Sequence, residues 1–346
     1  MKRQIWMFVT AAGVTCGMLA GADYPELRLT NGKITAQVST PDLKKGFYRG
    51  TRFDWSGIIT SLEAQGHLYF APFFEKFDPS IKDVDFKTTV LAGPASAVSG
   101  PVEEFAPLGY ADAKTGGTFV KIGVGVLRKP EESRYDHYEI YTIADAGKWT
   151  VKKKGGEVTM TQEVRDPASG YGYLYSKTVR LVPGQPKMEL VHSLKNIGQK
   201  KIEGNVYDHN FFVIDHQSIG PDTSIKFAFE PKLGGGRGRG PAVAAAPSFE
   251  ANGHDVNYIK ALGNGDTASS MIQGYGASPS DYDIRVENRK AGAGAHITGD
   301  HPLSRMMIWS IRTCTCPEAY IDLNIDPGQE MQWKYTYEFY PLDSSK

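Results

Sequence analysis

An all-β sandwich is the fold class this sequence predicts. Short stretches of alternating apolar and polar residues recur along it, turns rich in Gly and Pro separate them, and no stretch sustains a long helical period. Residues 27–38 alternate and open the domain. Residues 58–74 hold two short β runs broken at Gln65-Gly66-His67. Residues 117–128, GTFVKIGVGVLR, alternate Val120, Ile122, Val124 and Val126 with small or polar residues, and their glycines suggest bulges or close backbone approach. Strands follow at 135–143, 149–154 and 157–165. Residues 173–181 and 187–194 make a hairpin across Val182-Pro183-Gly184-Gln185-Pro186, which is turn chemistry. Met188, Leu190 and Leu194 line one face of its second strand, with His192 among them. A last hairpin, 321–325 and 330–340, turns at Asp326-Pro327-Gly328, and its closing strand carries the apolar face Met331, Trp333, Tyr335, Tyr337 and Phe339.

The ends and the charge narrow the function classes. Lys2 and Arg3 precede an apolar run from Ile5 to Leu19, and Ala20-Gly21-Ala22 supplies small residues for cleavage before Asp23. Residues 1–22 therefore read as a secretory signal, too short for a span and without a basic stop. Residues 23–346 then form one exported domain, secreted or periplasmic, with no later membrane span. The 39 basic and 39 acidic residues cancel, so no basic field attracts nucleic acid or acidic lipid, and a small partner is the natural expectation. Cys314 and Cys316, the cysteines left after cleavage, share a strand face near the Cα limit for a disulfide, about 7 Å. They read as small buried apolar groups, because no second Cys or His pair at ligand spacing accompanies them. No metal and no cofactor is expected. Residues 233–247, LGGGRGRGPAVAAAP, read as a mobile surface loop; they lack the ending and context of a phosphate cradle.

Chemistry concentrates in residues 201–218, KIEGNVYDHNFFVIDHQS. Asn205, Tyr207 and His209 share one strand face, and Phe211-Phe212-Val213-Ile214 anchors the cluster in a core. A ring-bearing, hydrogen-bonding face suits a sugar. His67, His137 and His192 read as structural or exposed. A second constellation is Arg49-Gly50-Thr51-Arg52-Phe53-Asp54-Trp55-Ser56-Gly57. Its arginines can fork onto a carboxylate or paired hydroxyls, and Trp55 can stack on a sugar face. An internal Arg52–Asp54 pair with Trp55 in the core is the competing reading.

Taken in order, these motifs form a recognisable series: Trp55-Ser56-Gly57-Ile58-Ile59-Thr60-Ser61-Leu62 with Gly66, a hairpin ending in LKNIG (194–198), His209 before two aromatics, Ile308-Trp309-Ser310, Cys316-Pro317-Glu318-Ala319-Tyr320 and Pro327-Gly328-Gln329-Glu330. The series resembles the galactose mutarotase-like (aldose 1-epimerase) superfamily. The resemblance implies a large antiparallel β-supersandwich with a sugar cleft on its concave face. It implies His209 as the catalytic acid and Glu318 as the base of anomer interconversion, and a sugar or glycan end as partner. Family epimerases usually carry an earlier His-Gly motif that supplies a second substrate-binding His. The corresponding residues here, 101–110 (PVEEFAPLGY), hold no His, and the resemblance implies Glu103 or Glu104 in that part of the cleft.

The substrate-binding set expected is Arg49, Arg52, Asp54, Trp55, Glu104, Asn205 and Tyr207. A uronate-processing lyase on the same scaffold, using the Arg49/Arg52 cluster and Tyr207, and a non-catalytic carbohydrate-binding module stand as alternatives. Expression in a bacterial host with an export pathway is expected to yield a chain beginning at Asp23. Mass spectrometry of the intact product checks it, and retention of Met1 in an exported product would count against the signal assignment.

Overall fold

The computed structural model describes residues 24–74, 99–131, 134–234 and 248–343, together with three two-residue strands, Lys76–Phe77, Val84–Asp85 and Val90–Leu91. The proposed signal, residues 1–22, and most of the low-complexity segment (235–247) lie outside the described residues.

No α-helix occurs among the described residues. A ten-stranded antiparallel sheet runs in the order Lys148–Lys154, Glu157–Asp166, Tyr171–Leu181, Lys187–Asn196, Glu330–Pro341, Ala293–Gly299, Asp283–Asn288, Thr223–Phe227, Asp255–Tyr258 and Phe249–Asn252. Against it packs a six-stranded sheet: Lys232–Leu233, Thr267–Gln273, Arg305–Ile311, Cys314–Ile325, Ile202–His209 and Val102–Phe105. The N-terminal strands Glu26–Thr30, Ile34–Ser39, Ile59–Ala64 and His67–Phe70 extend this second layer through the bridges Phe70–Phe212 and Phe212–Thr315. One apolar core, from Leu29 to Phe339, fills the space between the layers. The one parallel pairing among the described strands joins Lys76–Phe77 to Val90–Leu91.

Local chemistry corrects several sequence boundaries. Residues 27–38 form a hairpin and not a single strand. Asn31 accepts from the amides of Lys33 and Ile34, and Gly32 takes φ +85°. Residues 117–128 likewise fold back, as Thr118–Lys121 and Gly125–Arg128. Gly123 sits at that turn with φ +79°, and a Cβ there would lie 2.4 Å from Asp54. The strand expected at 135–143 is absent except for its last residue. The Asp136 carboxylate accepts from Tyr138 N–H and its carbonyl from Glu139 N–H, so the chain turns there.

Charge lies between the two layers. Glu103 faces inward, bonded by Lys177 Nζ and by His192 Nε2 at 2.7 Å, and all three side chains are fully buried. Burial pushes the His192 imidazole towards its neutral form, against the pull of Glu103. Its Nδ1 has no hydrogen-bond partner, which suits a neutral ring whose single proton is on Nε2. Asp54 and Asp208 complete the cluster. Asp54 accepts from Ser56 and Tyr175; burial, with Glu103 nearby, pushes it up to about 7 although Lys177 opposes.

Asp208 carries a proton by a count of hydrogens. The Tyr337 hydroxyl lies against Asp208 Oδ2 and 2.7 Å from Asn210 Oδ1. The Asn210 amide nitrogen is committed to the carbonyls of Asp208 and Pro317, so its oxygen must accept. One tyrosine proton cannot serve both acceptors, and a protonated Asp208 supplies the second. Burial and then Glu103 push this carboxyl from 3.8 up to about 8.

A raised carboxyl contributes stability that is complete below its unfolded pKa and is lost as pH rises through its folded value. Wild type is therefore expected to lose stability relative to Asp208→Asn, whose amide reproduces the donor, as pH rises from about 4 towards 8, by a few kcal/mol in all. Denaturant titrations across that range check it. A difference that stays flat with pH would sink the protonated assignment.

Candidate functional site

The six-stranded sheet turns its other face to the site. Register fixes which side chains meet there. His209 lies opposite Glu318 on one side and Val102 on the other; Tyr207 lies opposite Tyr320 and Glu104. The next strand places Met307 beside Glu318 and Arg305 beside Tyr320. Because alternate residues share a face, two rows result: Val102–His209–Glu318–Met307 and Glu104–Tyr207–Tyr320–Arg305. Glu103 and Asp208, one residue out of step, go to the interior.

His209 Nε2 stands 3.5 Å from Glu318 Oε1, and the Tyr320 hydroxyl donates to Glu318 Oε2 at 3.3 Å. Both the imidazole and the carboxylate are 4% exposed. An aromatic wall orients the imidazole. Phe211 stacks on it at 3.9 Å between ring centres, and Phe53 and Trp309 meet it edge-on at 5.6 and 5.8 Å. Phe211 is itself stacked on Phe73 at 4.8 Å, so the ring position is held from both sides.

Glu104 forms the second polar centre. Arg52 Nε donates to it at 2.7 Å, the Tyr207 hydroxyl donates to it, and Lys121 Nζ and His137 Nδ1 each lie at 3.6 Å. Burial alone would raise this carboxyl. Arg52, Lys121 and His137, with the Tyr207 hydrogen bond, outweigh it and hold Glu104 well below the usual carboxylate range. Burial lowers Lys121 to about 8 despite Glu104. Arg52 also donates to the Tyr207 hydroxyl at 3.1 Å and lies over the rings of Phe53 and Tyr138 at 4.4 and 5.2 Å.

The structure brings His209, Glu318, Tyr207, Glu104 and Arg52 into one contiguous cluster, with Asn205 half-buried further along the same strand face. Asp54 and Trp55 lie elsewhere, which corrects the expectation that both line the cleft. Asp54 belongs to the buried layer between the sheets; Trp55 is a core residue, 2% exposed, whose indole donates to the Gly50 carbonyl at 2.7 Å. The Arg52–Asp54 pair considered as an alternative is replaced by Arg52–Glu104. Arg49 bonds the Lys44 carbonyl at 2.9 Å and serves its own loop.

Several members escaped the sequence reading. His137, set aside as structural or exposed, reaches Glu104 from the turn at 136–139. Lys121 ends a short strand directly after the buried apolar pair Phe119 and Val120. Tyr320 was discoverable, since it follows Glu318 by two on one strand. Cys314 and Cys316 are buried free thiols, their sulfurs 4.0 Å apart.

Arg52→Met is expected to cost about 3 kcal/mol, because Glu104 loses its closest cation while remaining buried. Arg52→Met combined with Glu104→Gln, which removes both charges, should recover most of the loss. Denaturant titration of the three chains checks the pair; a double variant no more stable than the single would argue against it.

No family model matches the chain, and no curated protein matches it either. Solved structures do. An aldose epimerase homologue from C. elegans is 10% identical with a TM-score of 0.54, covering 92% of this chain and 100% of its own. A galactose mutarotase-like protein from Lactobacillus casei is 11% identical with a TM-score of 0.51, covering 91% and 100%. One from Clostridium acetobutylicum is 13% identical with a TM-score of 0.52, covering 91% and 95%. The fold is therefore galactose mutarotase-like; at these identities the likeness is one of fold alone.

Proposed function

We propose that this galactose mutarotase-like chain is an exported aldose 1-epimerase-like enzyme, with His209 and Glu318 as its acid and base. The observation that carries the reading is their register: an imidazole and a carboxylate 3.5 Å apart on adjacent strands, beside tyrosines and an aromatic wall. Anomer interconversion needs such a pair. Glu318 takes the proton of the anomeric hydroxyl while protonated His209 gives one to the ring oxygen, and the bond from that oxygen to the anomeric carbon breaks. The open aldehyde rotates, and the reverse transfers close it as the other anomer. At 3.5 Å the pair is looser than a good hydrogen bond, so a sugar hydroxyl and ring oxygen can compete for both groups.

The lyase alternative has less support. Its two arginines, Arg49 and Arg52, are engaged within the protein: Arg52 is bonded to Glu104 and Tyr207, and Arg49 to a backbone carbonyl. Removal of residues 1–22 would place the enzyme outside the cytoplasm, where enzymatic cleavage of a glycan releases each sugar as one anomer.

His209→Ala and Glu318→Gln are each expected to slow anomer exchange about 10²–10⁴-fold, read by polarimetry or exchange NMR. Exchange at the uncatalysed rate for wild type across a panel of neutral and acidic aldoses would remove the enzyme reading. Saturable glycan binding that survives His209→Ala would then favour a binding module.

A further inference from the structure

Arg305 opens the strand next to Glu318 and stands in the tyrosine row, opposite Tyr320. Its guanidinium carbon lies 5.1 Å over the Tyr320 ring. The hydrogen-bond contacts of its side chain are thioethers: Nη2 lies 3.4 Å from Met271 Sδ and 3.1 Å from Met307 Sδ. Its Nε is buried with no hydrogen-bond partner, and among the described residues no carboxylate pairs with it. A guanidinium offers five donors in a rigid fork, and thioether sulfur is a weak acceptor. A half-buried cation left with such neighbours needs an explanation, because buried donors are ordinarily satisfied.

The position suggests one. Tyr320 follows Glu318 by two residues on the same face, about 7 Å along the strand, a span comparable with that from the anomeric hydroxyl of a hexopyranose to the outer oxygens of an acidic group carried at its exocyclic carbon. Tyr207 and Tyr320, stacked at 4.3 Å, separate Arg305 from the Glu104 cluster. That cluster presents no net negative charge to an incoming anion, since Arg52 and Lys121 surround its single carboxylate.

Resting on the epimerase reading above, we propose that the substrate is an aldose with an anionic group at the end remote from its anomeric carbon, and that Arg305 holds that group. The fork matches a carboxylate or a phosphate ester bidentately, and it selects substrate without taking part in proton transfer.

The test compares glucuronate and galacturonate, glucose 6-phosphate, and the neutral parents glucose and galactose by exchange NMR. Wild type, Arg305→Met and Arg305→Lys are measured. An acidic sugar is expected to exceed its neutral parent in kcat/KM by about ten- to a hundredfold, chiefly through KM. Arg305→Met, whose thioether suits its neighbours, should bring that ratio to about one, and Arg305→Lys should fall between. Preference for the uronates assigns a carboxylate, and preference for glucose 6-phosphate assigns a phosphate. No acidic preference in wild type, or the same preference in Arg305→Met, would overturn the proposal. If no sugar is turned over, the acid–base reading fails by itself, and titration calorimetry with the same sugars decides this one. Binding of an acidic sugar that is lost in Arg305→Met sustains it, and equal affinity for acidic and neutral sugars overturns it.

Discussion

Opposite neutralisation of two consecutive carboxylates organises this molecule. On the short strand Val102–Phe105, Glu103 points between the sheets to Lys177 and His192, while Glu104 points to the site and to Arg52 and Lys121. Each acid is buried, and each is tolerable only because hydrogen-bond donors from other elements, with at least one cation among them, converge on it. That demand reaches far along the chain. Glu103 ties the strand to the Tyr171–Leu181 and Lys187–Asn196 hairpin, and Glu104 ties it to the loop at 49–57 and the turn at 136–139. The layers are thereby fixed relative to each other at the level where His209 and Glu318 face one another.

The inner cluster also explains an otherwise surplus proton. Three carboxylates share the space with one lysine and a neutral imidazole. Placing a hydrogen on Asp208 relieves the excess negative charge and satisfies the tyrosine and asparagine beside it. Asp208 is the immediate chain neighbour of His209, so the backbone that presents the imidazole to the site is anchored from behind by this hydrogen-bonded acid.

Much of this was legible in the residues, and the limits have physical causes. Alternation placed Asn205, Tyr207 and His209 on one face correctly, because a strand has a fixed period of two. The closing strand read equally well, since Trp333, Tyr335, Tyr337 and Phe339 are apolar at every inward position and all buried. Alternation failed where charge goes inside. Lys177 and Glu103 occupy core-facing positions, and nothing local distinguishes such a residue from a solvated one. Asp54 and Trp55 were misplaced for a related reason: a loop has no period, so only its tertiary partners decide where its side chains point. His137 and Arg305 were passed over because each is alone in sequence, and pairing across strands gives them neighbours.

The doubled acid has a consequence for how the chain finds its alignment. Sliding the 102–105 strand by one position exchanges its two faces, and the paired acids refill one charged slot but not both. In one direction Glu103 takes the place of Glu104 and Val102 enters the inner cluster; in the other Glu104 takes the place of Glu103 and Phe105 comes opposite Tyr207. Electrostatics therefore registers only half of such an error. The bracketing side chains register the rest: Phe105, edge-on to Tyr175 at 5.3 Å, and Val102 among the aromatics around His209. Ionic partners and hydrophobic bookends together set the phase of the strand on which both polar centres depend.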